Sequence, residues 1–233
     1  MSSPLRIALV AEGPTDRIVL ESALTSMLAG RSFILKQLQP EESIPFGEIG
    51  TGWVGIYRWC KQVVARSNGA LRRDILYFSY DILILQLDAD VAEKSYDDGS
   101  IQENIQDLPC VQECPPPTAT TNRLRNVLLR WAGENETPPK TVLCSPSKSM
   151  EAWVVAALLP NDVAMRQGIE CFNNPEARLS QQPADQRFQK RKQDYQDRLE
   201  QLTTAWPRLV ETLEEPARFQ RDLLAMIPPV QAA

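Results

Sequence analysis

Five carboxylates stand where the pattern of the chain changes: Glu12, Asp16, Asp88, Asp90 and Glu151. Glu12 and Asp16 follow the apolar run 5–11, and Asp88-Ala89-Asp90 follows Ile82-Leu83-Ile84-Leu85-Gln86-Leu87. In an Asp-x-Asp segment the two side chains converge once a strand turns into a loop, leaving hard oxygen donors near one point. Mg²⁺ and Mn²⁺ prefer such oxygens and keep some of their waters. Several carboxylates at one sheet edge repel one another unless a cation lies between them. Together they predict a divalent-metal site. Singly, each has a structural alternative. An Asp after a strand makes an Asx turn, Glu12 precedes a Gly-Pro turn, and acids in a helix's first turn meet its macrodipole.

The 233 residues include no histidine. Histidine general bases, histidine-dependent nucleophile systems and His-based zinc sites are therefore excluded. Catalysis would run on carboxylates, Lys, Ser, Tyr or Cys, or on an oxygen-held metal ion. With 25 Lys+Arg against 30 Asp+Glu the formal net charge is -5, so overall charge does not draw in a polyanion. Nucleic acid would need local basic groups. Lys190, Arg191 and Lys192 form the densest cluster, beside Arg187, and Arg123 and Arg130 lie two helical turns apart where they could flank a groove. A solvated helix face is the competing reading of the cluster.

Cys60, Cys110, Cys114, Cys144 and Cys171 are odd in number and scattered, which predicts a reducing, cytoplasmic setting rather than a disulfide scaffold. Cys110-x-x-x-Cys114 has no further close ligands with which to hold zinc. No run of about 18 apolar residues is present, so no membrane span is expected. The chain passes from Met1 straight into an apolar run, so a secretory signal is not expected either.

The elements that must position the acids are legible from periodicity. Short, nearly continuous apolar runs predict buried strands at 5–11, 33–38, 82–87 and 141–144. Helical spacing follows each strand: after Thr15 as cap to Gly30, from the Gly-rich stretch 47–55, through Leu124 to Trp131, and over 150–159. Strands alternating with helices imply an α/β domain, a parallel sheet covered on both faces, over about 1–165. The polar stretch 93–117 reads as a long surface loop or insertion. Residues 166–233 read as a helical C-terminal region, divided by Pro207 and Pro216 acting as first-turn prolines. Functional groups in such sheets collect beyond the carboxyl ends of the strands. Gly50-x-Gly52-x-x-Gly55 follows the wrong strand for a dinucleotide fingerprint and reads as a tight turn opening a helix.

This arrangement resembles the TOPRIM fold, a Rossmann-like metal-binding module of topoisomerases, primases and overcoming-lysogenization-defect nucleases. The residues that carry the likeness are Glu12-Gly13-Pro14-Thr15-Asp16 and Asp88-Ala89-Asp90, each after an apolar strand. Ser147-Lys148-Ser149-Met150-Glu151-Ala152-Trp153 is similar to a segment of small TOPRIM-like bacterial proteins, some of them in phage-defence settings. So are Gly50 to Gly55 and Arg58-Trp59-Cys60. The resemblance covers roughly residues 5–160, and the sequence carries no phosphate loop of a fused ATPase. It implies phosphodiester hydrolysis of DNA or RNA assisted by one or two Mg²⁺ or Mn²⁺ ions. Glu12 and Asp16 would help hold one ion, Asp88 and Asp90 would hold a second or share the first, and Glu151 would be an accessory ligand. Glu12, Asp88 and Asp90 would be catalytic, and Lys148 would neutralise charge on the scissile phosphate. A different class is a non-catalytic binding or regulatory partner of a separate ATPase or effector. A third is a hydrolase of a small phosphorylated molecule. Exposed tail helices leave a homodimer open.

Overall fold

The computed structural model describes residues 3–41, 49–183 and 187–227. Residues 47 and 48 of the Gly-rich stretch thus lie outside the described residues. Four strands form one sheet: β1 (Leu5–Val10), β2 (Phe33–Gln39), β3 (Ile82–Gln86) and β4 (Thr141–Cys144). Their order is β2-β1-β3-β4, and every pair is parallel. The predicted α/β class with a parallel, Rossmann-like sheet is what the structure has. Leu38 is an extra residue in β2: Leu9 pairs with Gln37 and Val10 with Gln39. This bulge falls at the end of β1 that leads into Glu12.

β3 and β4 are buried along their whole length because both sheet faces are covered there, whereas the edge strand β2 alternates, with Ile34 and Lys36 exposed. Ile7, Leu9, Ile82, Ile84 and Val142 point into one core, and Ala8, Val10, Leu83, Leu85 and Leu143 into the other. The first core is built against α1 (Pro14–Met27) and, later in the chain, by helices that follow β4. The second is built against α2 (Gly52–Arg66) and a later helix. The short helix α3 (Leu76–Ser79) leads into β3, and the later helix of the second core is α4 (Thr118–Trp131). After β4 come α5 (Met150–Leu158), α6 (Val163–Arg166), α7 (Pro175–Ser180) and α8 (Lys192–Gln196). The chain continues with α9 (Leu199–Thr212) and α10 (Glu214–Met226). Among the described residues no helix is long and apolar enough to cross a membrane.

Three details depart from the sequence reading. The cap of α1 is not Thr15: Gly13 is the N-cap residue, and its N–H donates to Asp16 Oδ2 at 2.8 Å. Pro14, at the first helical position, has no N–H that needs a partner. The stretch 93–117 is not a detached surface loop, since Tyr96, Ile101, Leu108 and Cys110 are buried in the second core. The Tyr96 hydroxyl donates to Asp107 at 2.6 Å and accepts from Trp131 Nε1 at 2.9 Å. Pro207 lies inside α9 rather than opening a new helix. An interior proline costs about 3 kcal/mol, and the burial of Trp206 and Leu209 on that helix offsets it. Trp206 meets Trp153 edge-on, ring centroids 5.5 Å apart, which ties α9 to α5.

The cysteine expectation is also corrected. Cys114 and Cys171 form a disulfide that fastens the end of the 93–117 stretch to the turn Ile169–Cys171. Their separation of 57 residues gives no local spacing signal. The remaining three cysteines are free and buried. The bond removes the cysteine-based argument for a reducing compartment.

Candidate metal centre

In the order β2-β1-β3-β4 the chain leaves β1 toward one edge for β2 and toward the other for β3 and β4, so the order reverses between β1 and β3. The crevice beyond the carboxyl ends of two such strands is where open parallel sheets bind ligands. Glu12 follows β1 there, and Asp88 and Asp90 follow β3. One carboxylate oxygen from each of the three lies within 4.8 Å of the others, a group that could hold a metal ion.

Hydrogen bonds fix the first two acids. Glu12 Oε1 accepts from the Asp88 N–H at 2.8 Å, and the Glu12 N–H donates to Gln86 Oε1 at 3.0 Å. Gln86 in turn donates from Nε2 to Asp88 Oδ1 at 2.8 Å, and the Met150 N–H reaches the same oxygen at 3.1 Å. Gln86 is thus the bridge between the two strand ends, and it is fully buried. Asp90 is exposed, with its N–H held by the Lys148 carbonyl at 2.7 Å. The close packing beside Glu12 needs glycine. Gly52, at φ +66, donates its N–H to the Glu12 carbonyl at 2.8 Å. A Cβ on Gly55 would stand 2.5 Å from Gln39 Nε2.

Asp16 and Glu151 stand outside the group of three oxygens. Asp16 is buried and committed to the Gly13 N–H. Glu151, 2% exposed, accepts from the Tyr195 hydroxyl at 2.9 Å and pairs with Lys190 Nζ at 2.9 Å, both through Oε1. Lys148 has a positive φ of 62° and lines the same cavity as Glu12, Asp88 and Asp90, but its ammonium is on Glu93 at 3.0 Å. The Ser147 hydroxyl is taken up by the Glu170 carbonyl. That cavity has a volume of ≈ 490 Å³ and is also lined by Asn174, Glu176 and Lys190.

The acids shift one another. Burial, and then the neighbouring Asp16, push Glu12 from 4.5 up to about 8. Burial and Glu151 push Asp16 from 3.8 up to about 7. Asp88 is driven well above the ordinary carboxylate range by burial and by Glu12, and Asp90, though exposed at its outer edge, is raised by partial desolvation within the crevice. Burial acts the same way on Glu151, but Lys190 and Tyr195 outweigh it and hold that acid below its ordinary value. The cluster is short of positive charge.

A pH dependence follows, with a sign opposite to ordinary acid denaturation. In the metal-free folded state Glu12 keeps its proton from 4.5 up to about 8 and Asp16 from 3.8 up to about 7, ranges in which the unfolded chain has released them. Stability therefore falls as pH rises through that window. Calorimetry in chelator should give a Tm several degrees lower near pH 8 than near pH 5. Mn²⁺ should restore it mainly at the higher pH. A Tm that rises over the same range would contradict the arrangement.

Of the basic residues singled out from sequence, Arg123, Arg191 and Lys192 are exposed. Arg130 is not available to a backbone phosphate: it binds Asp107 through Nε at 2.5 Å and lies 3.4 Å from Glu103. Lys190 faces the acids instead of standing with Arg191 and Lys192. No family model matches this chain, and no curated protein or solved structure matches it either. Sequence reasoning missed Gln86 and Tyr195. A lone amide in an otherwise apolar strand was the available signal for the first. Nothing local marked the second, which sits at ordinary helical spacing.

Proposed function

We propose that this chain is a divalent-metal-dependent nuclease or related phosphodiester hydrolase, of TOPRIM-like fold, acting on DNA or RNA. The observation that carries this reading is the convergence of Glu12, Asp88 and Asp90 oxygens within 4.8 Å at the point where the strand order reverses. The donor set fits Mg²⁺ or Mn²⁺. It is all oxygen, it runs from the buried Asp88 through the half-buried Glu12 to the exposed Asp90 with too little compensating charge, and a nearby acid oxygen, Glu151 Oε2, is buried without a hydrogen bond.

Glu12, Asp88 and Asp90 would hold the ion. When bound, such an ion polarises a phosphoryl oxygen and favours attack at phosphorus. The chain's own part is orientation: Gln86 and the Asp88 N–H hold the Glu12 and Asp88 carboxylates before any ion arrives. Lys148 is at the cavity wall, where release from Glu93 would let its ammonium meet a phosphate. Arg191 and Lys192, exposed next to Lys190, offer a basic lip for a nucleic-acid backbone, with Arg123 exposed on α4.

The chelator-stripped protein should cut single- or double-stranded DNA or RNA only after Mg²⁺ or Mn²⁺ is restored. Ion binding without cleavage of any of these would move the reading to a non-catalytic partner of an ATPase or effector. Phosphate release from nucleotides without polymer cleavage would move it to a small-molecule hydrolase.

A further inference from the structure

Glu151 lines the same cavity as Glu12, Asp88 and Asp90, yet it contributes no oxygen to their convergence. Its Oε1 carries both the Tyr195 hydroxyl and the Lys190 ammonium, while Oε2 is buried and accepts no hydrogen bond. A buried carboxylate with one oxygen on a cation and the other unfilled, next to a metal-type acid cluster, is half of a second cation site. The cation it holds belongs to the chain. Lys190 comes from the segment just before α8, and its side chain is 55% exposed, so the ammonium enters from the solvent side. It also lies 3.8 Å from Glu176 on the rim, a second acid that would receive it if it left Glu151.

We propose that Lys190 is a tethered cation standing where a second divalent ion would bind. This rests on the metal reading of the centre and deepens it. Glu12, Asp88 and Asp90 then take a single ion, and Glu151 is neutralised by the chain itself. An ammonium pairs with a carboxylate at 2.9 Å here, whereas Mg²⁺ demands about 2.1 Å and several ligands. The two cannot share Glu151, so the site is occupied by one or the other.

The test is the number of Mn²⁺ ions bound by the full chain after chelator stripping, counted by calorimetric titration and by the loss of free-ion electron paramagnetic resonance signal. Wild type should bind one ion and Lys190→Arg one. Lys190→Gln should bind two, and Lys190→Gln combined with Glu151→Gln should return to one. Lys190→Met gives a second neutral variant should the glutamine fold poorly, circular dichroism and Tm being the check. Two ions in wild type, or one ion in both well-folded neutral variants, overturns the proposal and leaves the metal reading intact. No ion in any variant, including wild type, overturns both.

Discussion

Replacing Asp88 with Asn is expected to abolish metal-dependent chemistry while making the metal-free protein more stable. The amide keeps an oxygen where Gln86 Nε2 and the Met150 N–H both donate to Asp88 Oδ1, so the local hydrogen bonds survive. What it removes is a buried acid that burial and Glu12 push well above the ordinary carboxylate range. At neutral pH the wild-type chain must protonate or repel at that position in order to fold, and the variant need not. The gain should be about 1 kcal/mol, read as a Tm roughly 2–4 °C higher in chelator. Mn²⁺ affinity should fall sharply, and any cleavage by about 10²–10³-fold, the several kcal/mol that Lewis-acid stabilisation supplies. Opposite movements of stability and activity mark a site retained for function rather than folding. A variant that loses both would make Asp88 a structural residue.

Glu215→Ala is expected to be the most destabilising single change outside the apolar core. Glu215 is buried in the first turn of α10, where Arg125 Nη2 donates to it at 3.0 Å and Thr121 Oγ1 at 2.5 Å. Removing it leaves Arg125, itself 5% exposed, with Asp222 at 3.6 Å as its remaining paired acid among the described residues. Leaving one partner of a buried ion pair uncompensated costs about 3–5 kcal/mol. For a chain of this size that lowers Tm by roughly 10 °C, measurable by calorimetry. Replacing both partners with apolar residues of similar volume, Arg125→Met with Glu215→Leu, should recover most of the loss. If the double variant is no better than the single one, the cost lies in packing rather than in the stranded charge.

How much of this was open to sequence reading differs by element. The strands were, because sheets covered on both faces leave apolar runs, and Ile82 to Leu85 is such a run. The positions of Glu12, Asp88 and Asp90 at strand ends were also readable, since strand ends are local events. What was hidden depends on distance along the chain. Lys190 reads locally as one of three consecutive basic residues, and only the fold turns it toward Glu151, 39 positions earlier. Arg130 reads as a groove-flanking charge because its partners Asp107 and Glu103 sit in a stretch that looks merely polar. Cys114 and Cys171 carry no spacing that announces a bond. Pro207 reads as a boundary because propensity sees one residue, while burial of its neighbours on α9 is a tertiary quantity.

The ladders of β1 and β3 stop at Val10 and Gln86, and every acid of the cluster lies downstream of its own strand's last paired residue. No rung of the sheet depends on what those side chains are. The scaffold can therefore trade its chemistry by substitution at the brim, one letter at a time, without reopening the question of how it folds.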